Sequence, residues 1–166
     1  MAEVILLCGR ICCGKGTYAE ALRKEKKAVI LSTDEIMLAL FGQDAGEQHD
    51  LLVEKAWQYL YRKSAQIAET GIPVILDCGF WTREKRDEAR RFYRERGIPY
   101  EFRYIDISEE EWHRRLRKRN ATASPDAYFV DEGLAAKCEA LFEIPDPAET
   151  DVRFVNETNQ RGEIPE

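Results

Sequence analysis

The stretch Glu3-Val-Ile-Leu-Leu-Cys8, followed by Gly9-Arg-Ile-Cys-Cys-Gly14-Lys15-Gly16-Thr17, joins an apolar run of strand length to a glycine-rich loop. The spacing Gly9-x-x-x-x-Gly14-Lys15 is that of a phosphate-binding loop, in which backbone N–H groups and a lysine hold the β- and γ-phosphates of a nucleotide. The stretch therefore predicts a buried strand, a nucleotide site and a following helix.

The composition of this loop suits an anion. Glycines lack a Cβ, so the backbone can approach phosphates closely. A helix that begins near Lys15 turns its unpaired N–H groups and its positive dipole end toward the anion, and Lys15 adds a mobile charge. A glycine-rich turn without a ligand is the alternative. The predicted nucleotide-binding residues are those of the whole loop: Gly9, Arg10, Ile11, Cys12, Cys13, Gly14, Lys15, Gly16 and Thr17.

Composition narrows the class of protein. The 166 residues, 44% hydrophobic and 34% charged, predict a single domain over residues 1–166. Because no apolar run reaches about 18 residues, no membrane span is expected. The chain enters its first strand at once, with Glu3 inside it, which is unlike a signal peptide. The net charge of −6 argues against long nucleic acid as the main partner.

The cysteines predict a reduced, cytoplasmic protein. There are five, an odd number, with no Cys-x-x-Cys pair, and two separated histidines add no metal cluster. Cys12 and Cys13 lie among the N–H groups of the loop, so lowered thiol pKa values and oxidation are one expectation. Incidental small residues are the favoured alternative.

Hydrophobic patterning alternates strand-like and helix-like segments five times. The expected strands are 3–8, 28–31, 73–77, 100–105 and 152–155. The expected helices are 15–23, 35–41, 47–70, 82–96, 108–119 and 124–142, two of them opened by capping boxes at Ser32 and Ser108. This order predicts an α/β three-layer domain around a parallel sheet, with ligands beyond the carboxyl ends of the strands.

Two carboxylates follow predicted strands. Asp34 is placed to accept a proton from a substrate hydroxyl and to orient it toward the γ-phosphorus. An acidic residue in the first turn of a helix is the alternative. Asp77 has the position of the acidic residue that holds magnesium, directly or through water, and it borders the substrate side. A turn-initiating aspartate is the alternative there.

Two basic segments, 83–96 and 113–119, are candidates for binding phosphates. Arg115 and Arg119 are four residues apart, so they share a helix face and could neutralise the transferring phosphoryl group. A solvated basic face is the alternative. Arg83 is the best candidate for binding an anionic substrate group, whereas salt bridges on a surface helix are expected for the next two arginines, Arg86 and Arg90.

Four aromatic side chains are candidates for lining an acceptor pocket: Trp57, Tyr61, Phe80 and Trp81. For Trp57 and Tyr61, ordinary packing is at least as good an explanation.

Four stretches together resemble a family of small P-loop kinases: Gly9–Thr17, Leu31–Glu35, Val74–Asp77, and Arg115 to Asn120 with its Arg-x-x-x-Arg spacing. The family includes chloramphenicol-phosphotransferase-like, zeta-toxin-like and polynucleotide-kinase-like proteins, which carry an AAA-type ATP-binding domain. The segment Phe142–Glu149 resembles the family's C-terminal stretch, which borders the adenine.

The resemblance implies a P-loop NTPase fold with an adenylate-kinase-like core, five parallel strands in the order 2-3-1-4-5, and a helical lid near 114–130 that closes over ATP. It implies ATP and Mg²⁺ as cofactors. By position, Lys15 and Thr17 would serve phosphate and metal, and Asp34 would be the base. Arg115 and Arg119 would be lid arginines. Gly16 stands where the family usually has serine, although adenylate-kinase-like enzymes also carry Gly-Lys-Gly-Thr.

The expected function is ATP-dependent transfer of the γ-phosphate to a hydroxyl of a small-molecule or nucleotide-like acceptor. Within enzymes, a nucleoside-monophosphate kinase and a 5′-hydroxyl polynucleotide kinase are alternatives. From another class, a non-catalytic ATP-binding switch or partner-binding module is the alternative.

Overall fold

The computed structural model describes residues 1–43, 45–121, 128–130 and 132–157. The strands are β1 (Val4–Cys8), β2 (Val29–Ser32), β3 (Val74–Gly79), β4 (Tyr100–Asp106) and β5 (Val152–Val155). The helices are α1 (Lys15–Lys26), α2 (Thr33–Phe41), α3 (His49–Glu69), α4 (Arg83–Glu95), α5 (Glu109–Ala121) and α6 (Glu132–Leu141), and short 3₁₀ turns cover Gly46–Gln48 and Pro147–Glu149.

All five strands are parallel and lie in the order β2-β3-β1-β4-β5, which confirms the predicted P-loop NTPase fold. Parallel strands bring their carboxyl ends to one edge of the sheet. The register places Ser32, at the end of β2, beside Asp77 of β3, and Cys8, at the end of β1, beside Gly79. The phosphate loop and both predicted carboxylates therefore lie at the same edge of the sheet.

Two helical layers cover the sheet. β1 lies at its centre, and its five apolar residues are fully buried, as expected for a strand covered on both faces. Leu60 of α3 and Tyr93 of α4 pack on one face, and Leu22 of α1 packs on the other. A third cluster joins Trp112 of α5 to the end of β4. No helix within the described part of the chain is long and apolar enough to cross a bilayer.

Side-chain caps set the starts of two helices that border the sheet edge. The Ser32 hydroxyl accepts the N–H of Glu35 at 3.3 Å, and the Thr82 hydroxyl accepts the N–H of Lys85 at 3.3 Å. Each such cap stabilises a helix by about 1 kcal/mol. The cap at Thr82 starts α4 where it was predicted, whereas α2 begins at Thr33, two residues before the predicted start at residue 35.

The predicted helix over 124–142 is wrong in its first part. Tyr128–Val130 is not helical, and α6 begins only at Glu132. Tertiary contacts explain the difference, because the N–H of Phe129 donates to Gln43 Oε1 at 3.1 Å and Val130 is fully buried. The predicted helix start at 124–125 and the centre of the lid, 122–127, lie outside the described residues.

Three of the four aromatic candidates belong to the hydrophobic core. Trp57, Tyr61 and Phe80 are at most 7% exposed, and the Trp57 and Phe80 rings lie 5.1 Å apart. The expectation that Phe80 lines a pocket is therefore wrong, because its ring packs between Trp57 and Phe102. Trp81 is half-buried at the end of β3 and stays a candidate.

Candidate active site

The phosphate loop is built around Gly14, which caps α1 with φ 96°. A Cβ at this position would lie 2.3 Å from Asn156 Nδ2 and 2.9 Å from Arg115 Nη1. Both the left-handed backbone and the close neighbours therefore require glycine. Backbone freedom already explains this glycine from the sequence, and the structure shows in addition that Asn156 and Arg115 leave no room for a Cβ.

Lys15 lies at the start of α1 with its ammonium turned back over the loop. Its Nζ donates to the carbonyls of Gly9 at 3.0 Å and Arg10 at 2.9 Å. Burial opposes the positive charge, but nearby acidic groups, Asp77 and Asp34 among them, outweigh it and raise the pKa of Lys15. The ammonium therefore stays charged where a phosphate would bind.

Arg115 and Asn156 brace the loop from outside. Asn156 Nδ2 donates to the carbonyl of Cys13 at 2.7 Å, and Arg115 Nη1 donates to the same oxygen at 3.2 Å. Arg115 also donates to Asn156 Oδ1 at 3.2 Å. Asn156 is not among the predicted site residues. It directly follows β5, so applying the rule about strand ends to the last strand would have found it.

Arg119, one helical turn after Arg115, contacts the loop at Cys12. Its Nη1 donates to the Cys12 sulfur at 3.2 Å, and its Nη2 donates to the carbonyl of Tyr128 at 2.9 Å. The shared face that was predicted for Arg115 and Arg119 is therefore the face that α5 turns toward the phosphate loop.

Trp112 and Arg10 fasten the loop to its surroundings. Trp112 Nε1 donates to the carbonyl of Ile11 at 2.7 Å. The Arg10 guanidinium lies 5.3 Å from the Trp112 ring and 5.6 Å from the Phe142 ring, within cation–π range. Phe142 therefore contacts the phosphate loop at the side chain of Arg10. The role of the segment Phe142–Glu149 beside an adenine stays a prediction.

Asp34 and Asp77 lie near Lys15 at the carboxyl edge of β2 and β3. Among the described residues, neither carboxylate forms a hydrogen bond or an ion pair. Burial raises the pKa of Asp34 against the opposing charges of Lys15, Arg119 and His49. Burial also raises the pKa of Asp77, where Lys15 opposes and Asp34 adds to the shift. Two unpaired acidic groups beside a lysine are typical of an active site.

The oxygen donors at this edge fit Mg²⁺. Thr17 is exposed in the first turn of α1, and it offers a hydroxyl in addition to the unpaired Asp77 carboxylate. Hydroxyl, carboxylate and phosphate oxygens are the ligands that Mg²⁺ prefers. A Cβ at Gly16 would meet nothing within 4 Å, so steric crowding does not explain the missing serine. No group of three or more His, Cys, Asp or Glu side chains within the described ranges could hold a metal alone.

The structure supports the favoured interpretation of Cys13 as an incidental small residue, not the alternative of a reactive thiol. Its thiol is fully buried, and burial raises the pKa of that thiol despite the nearby charge of Lys15. A buried thiol with a raised pKa is a poor nucleophile, so Cys13 is a small packing residue. Cys12 is half-buried and receives the Arg119 guanidinium.

Arg86 of α4 forms a salt bridge, as expected, but it does not lie on the surface. Arg86, expected on the surface, is 1% exposed and donates from Nε and Nη2 to Glu149 at 3.0 and 3.3 Å. It also donates to the carbonyl of Phe80 at 3.0 Å. Burial opposes the Glu149 charge, but Arg86 outweighs it and lowers the pKa of Glu149. Arg86 therefore holds the turn before β5 against α4.

Arg83 is exposed at the first position of α4. Its Nε lies 4.0 Å from Asp87, and its backbone N–H donates to Glu143 at 2.7 Å. It lines a shallow depression with four carboxylates and one further arginine: Glu84, Asp87, Glu88, Arg91 and Glu143. Substrate binding by Arg83 stays a prediction. The predicted ion pairing of Arg90 is confirmed, because its Nη1 lies 2.9 Å from Asp87.

Comparison with known proteins identifies the class. The chain belongs to the family described as AAA domain, whose model matches residues 4–145. No curated protein matches the sequence. The family match agrees with the resemblance to small P-loop kinases that the motifs indicate.

Solved structures share this fold at low sequence identity. A Chloroflexus aurantiacus protein, provisionally described as a kinase, superposes with a TM-score of 0.75 at 17% identity, covering 99% of this chain and 89% of that one. The APS kinase of Mycobacterium tuberculosis, solved with AMPPNP and APS, gives 0.68 at 17% identity over 95% and 90%. A gluconokinase of Sinorhizobium meliloti gives 0.60 at 18% identity over 91% and 81%.

Proposed function

We propose that this protein is an ATP- and magnesium-dependent kinase that transfers the γ-phosphate to a hydroxyl of a small molecule. The observation that carries the proposal is the unpaired Asp34 carboxylate beside Lys15, at the sheet edge where the phosphate loop begins. A site that only bound a nucleotide would have no need of this carboxylate. The net charge of −6 further supports a small acceptor over long nucleic acid.

On the donor side, the charged groups of the loop would exchange protein partners for phosphate oxygens. Lys15 would leave the carbonyls of Gly9 and Arg10 for the β- and γ-phosphates. Arg119 would leave the Cys12 sulfur and neutralise charge that develops on the transferring group. Mg²⁺, when bound, supplies further neutralisation of the phosphates, and Thr17 and Asp77 are the residues that would hold it.

On the acceptor side, Asp34 would orient the hydroxyl and take its proton. The hydroxyl oxygen forms a bond to the γ-phosphorus while the bond from that phosphorus to the bridging oxygen breaks, and ADP leaves. A raised pKa brings Asp34 closer to the working pH, which suits a group that accepts a proton during transfer.

The test compares Asp34→Asn with Glu35→Gln, since Glu35 is the adjacent exposed carboxylate of the same helix turn. Release of ADP and formation of phosphorylated product are measured with MgATP and a panel of hydroxyl compounds. We expect Asp34→Asn to lose about 100- to 10,000-fold in kcat, with ATP binding retained, and Glu35→Gln to match the parent.

An undiminished rate in Asp34→Asn would contradict this mechanism. ATP binding without phosphorylated product across the whole panel would instead favour the nucleotide-binding switch. Transfer confined to nucleoside monophosphates would make the protein a monophosphate kinase.

A further inference from the structure

The peptide between Cys13 and Gly14 is the part of the phosphate loop whose direction the loop sequence leaves open. Gly14 takes φ 96° in this structure, but glycine adopts positive and negative φ about equally well. Turning this peptide over would exchange the directions of its carbonyl and its N–H. Contacts from outside the loop must therefore decide which of the two groups faces a bound phosphate.

Two side chains from distant elements hold the carbonyl of this peptide. Asn156 Nδ2 donates to the Cys13 oxygen at 2.7 Å, and Arg115 Nη1 donates to the same oxygen at 3.2 Å. In a planar trans peptide the N–H points in the direction opposite to the carbonyl. The N–H of Gly14 therefore points away from both side chains.

Resting on the proposed kinase function, we propose that Asn156 and Arg115 are positioning residues of the phosphate loop. They hold the Cys13 carbonyl outward, so that the N–H of Gly14 is presented to a phosphate oxygen of the nucleotide. Backbone N–H groups bind the phosphates in such a loop, whereas an inverted peptide would turn a carbonyl oxygen toward them and repel them. Arg115 then serves the loop, and Arg119 neutralises the transferring group.

The position of Asn156 is fixed by the sheet. The register pairs Val155, the last residue of β5, with Asp106 of β4. The N–H of Asn156 donates to the Asp106 carbonyl at 2.8 Å, which continues this ladder one residue beyond β5. Because the backbone of Asn156 is bound to the sheet, its amide can hold a loop that has no such ladder of its own.

Arg115 has protein partners at all three nitrogens of its guanidinium. Besides the bond from Nη1 to Cys13, its Nε donates to Glu111 at 2.6 Å, and its Nη2 donates to the side-chain and backbone oxygens of Asn156 at 3.2 and 3.3 Å. Binding a phosphate would break some of these bonds. Arg119 contacts the loop only weakly by comparison, because the Cys12 sulfur is a poor acceptor.

The first test measures nucleotide binding by calorimetry, so it needs no acceptor. We expect Asn156→Ala to raise the Kd for MgATP about 3- to 10-fold, because the Cys13 carbonyl loses one of its two donors. Gln66→Ala, which removes an exposed amide on α3, is the control and should bind MgATP like the parent. A parent-like Kd in Asn156→Ala would overturn the inference, whereas a parent protein that binds no ATP would contradict the proposed function itself.

A spectroscopic measurement separates positioning from a general structural role. On addition of MgATP to the parent, the amide proton signal of Gly14 should move downfield, as expected for a hydrogen bond to a phosphate oxygen. In Asn156→Ala this movement should be smaller at saturating MgATP, because part of the population has the peptide inverted. A Gly14 signal that MgATP leaves in place in the parent would overturn the inference.

The second test separates the two arginines. We expect Arg115→Met to raise the Kd for MgATP about tenfold or more, with little change in kcat for release of ADP. Arg119→Met should instead lower kcat about 100-fold, since it removes charge from the transition state. Arg117→Met, at an exposed position of the same helix, is the control. A loss of kcat in Arg115→Met, with ATP affinity retained, would overturn the inference and return Arg115 to the transferring group.

Discussion

The carboxylates at the phosphate edge and the carboxylate before β5 differ in whether another side chain binds them. Asp34 and Asp77 form no hydrogen bond or ion pair with the described residues, and burial raises their pKa values. Glu149 is held by two nitrogens of the buried Arg86, and its pKa is lowered. Asp34 follows β2 in the first turn of α2, Asp77 lies within β3 at the same edge, and Glu149 ties the turn before β5 to α4.

The difference shows where the protein retains a free-energy cost that a more stable fold would avoid. Burial without a partner disfavours the charged form of a carboxyl group, so it lowers the stability of the fold. A partner such as Arg86 offsets that cost. Carboxylates left without a partner remain available to a metal, a proton or a substrate, which is why such groups concentrate at active sites.

The largest expected effect on stability comes from removing the cation that is paired with Glu149, so that this carboxylate, like Asp34, has no partner. Arg86→Met keeps much of the side-chain volume but leaves Glu149 buried without its cation. We expect the free energy of unfolding to fall by about 3–5 kcal/mol in urea titrations. Arg91→Met, on an exposed position of the same helix, is the control and should change stability little.

An Arg86→Met variant as stable as the control would show that Arg86 does not offset the burial of Glu149. The loss should also shrink as the pH falls. A lowered pKa means that the pair contributes stability above the ordinary glutamate pKa of 4.5, and that this contribution is lost as the pH falls through the folded-state pKa.

A smaller and opposite effect is expected at the phosphate edge. Asp77→Asn removes an unpaired charge, so we expect the free energy of unfolding at pH 7 to rise by about 0.5–2 kcal/mol while kinase activity falls. The sign follows from the raised pKa. Above the ordinary value of 3.8 the folded state holds this proton more tightly than the unfolded state, so stability decreases as the pH rises.

Urea titrations from pH 3 to pH 8 therefore distinguish the two kinds of carboxylate. The gain in Asp77→Asn should vanish toward the acid end, where parent and variant are both neutral at this position. Asp87→Asn, an exposed aspartate on α4, is the control. A loss of stability in Asp77→Asn at pH 7 would show that Lys15 already compensates the carboxylate.

The smallest effect is expected for a further carboxylate, Asp106, whose arginine partner is exposed to solvent. Asp106 accepts Arg153 Nε at 2.9 Å, and Arg153 is 66% exposed. Because water and salt screen such pairs, Arg153→Ala should leave urea unfolding almost unchanged, and entirely so at high salt. A loss comparable to that of Arg86→Met would break the distinction between buried and exposed pairs.

Much of the candidate nucleotide site could be predicted from the sequence. The glycine spacing, Lys15 and the carboxylates after two strands are local signals, since a parallel sheet brings every strand end to one edge. The contacts that complete the site are not local. Asn156 contacts Cys13 across 143 positions, and Tyr128 contacts His49 from a distant segment of the chain, so no periodicity in either segment could indicate these contacts.

The sequence by itself determined the strand–loop–helix unit, the alternation that builds the sheet, and the side chains at its edge, because each depends on neighbours in the chain. Only the tertiary structure decided which of many similar charges are paired. Arg83 and Arg86 lie in one turn of one basic helix, yet one is exposed and the other is buried with Glu149. The pairing of a charge depends on what packs against it, and in a chain this size that partner is often distant in sequence.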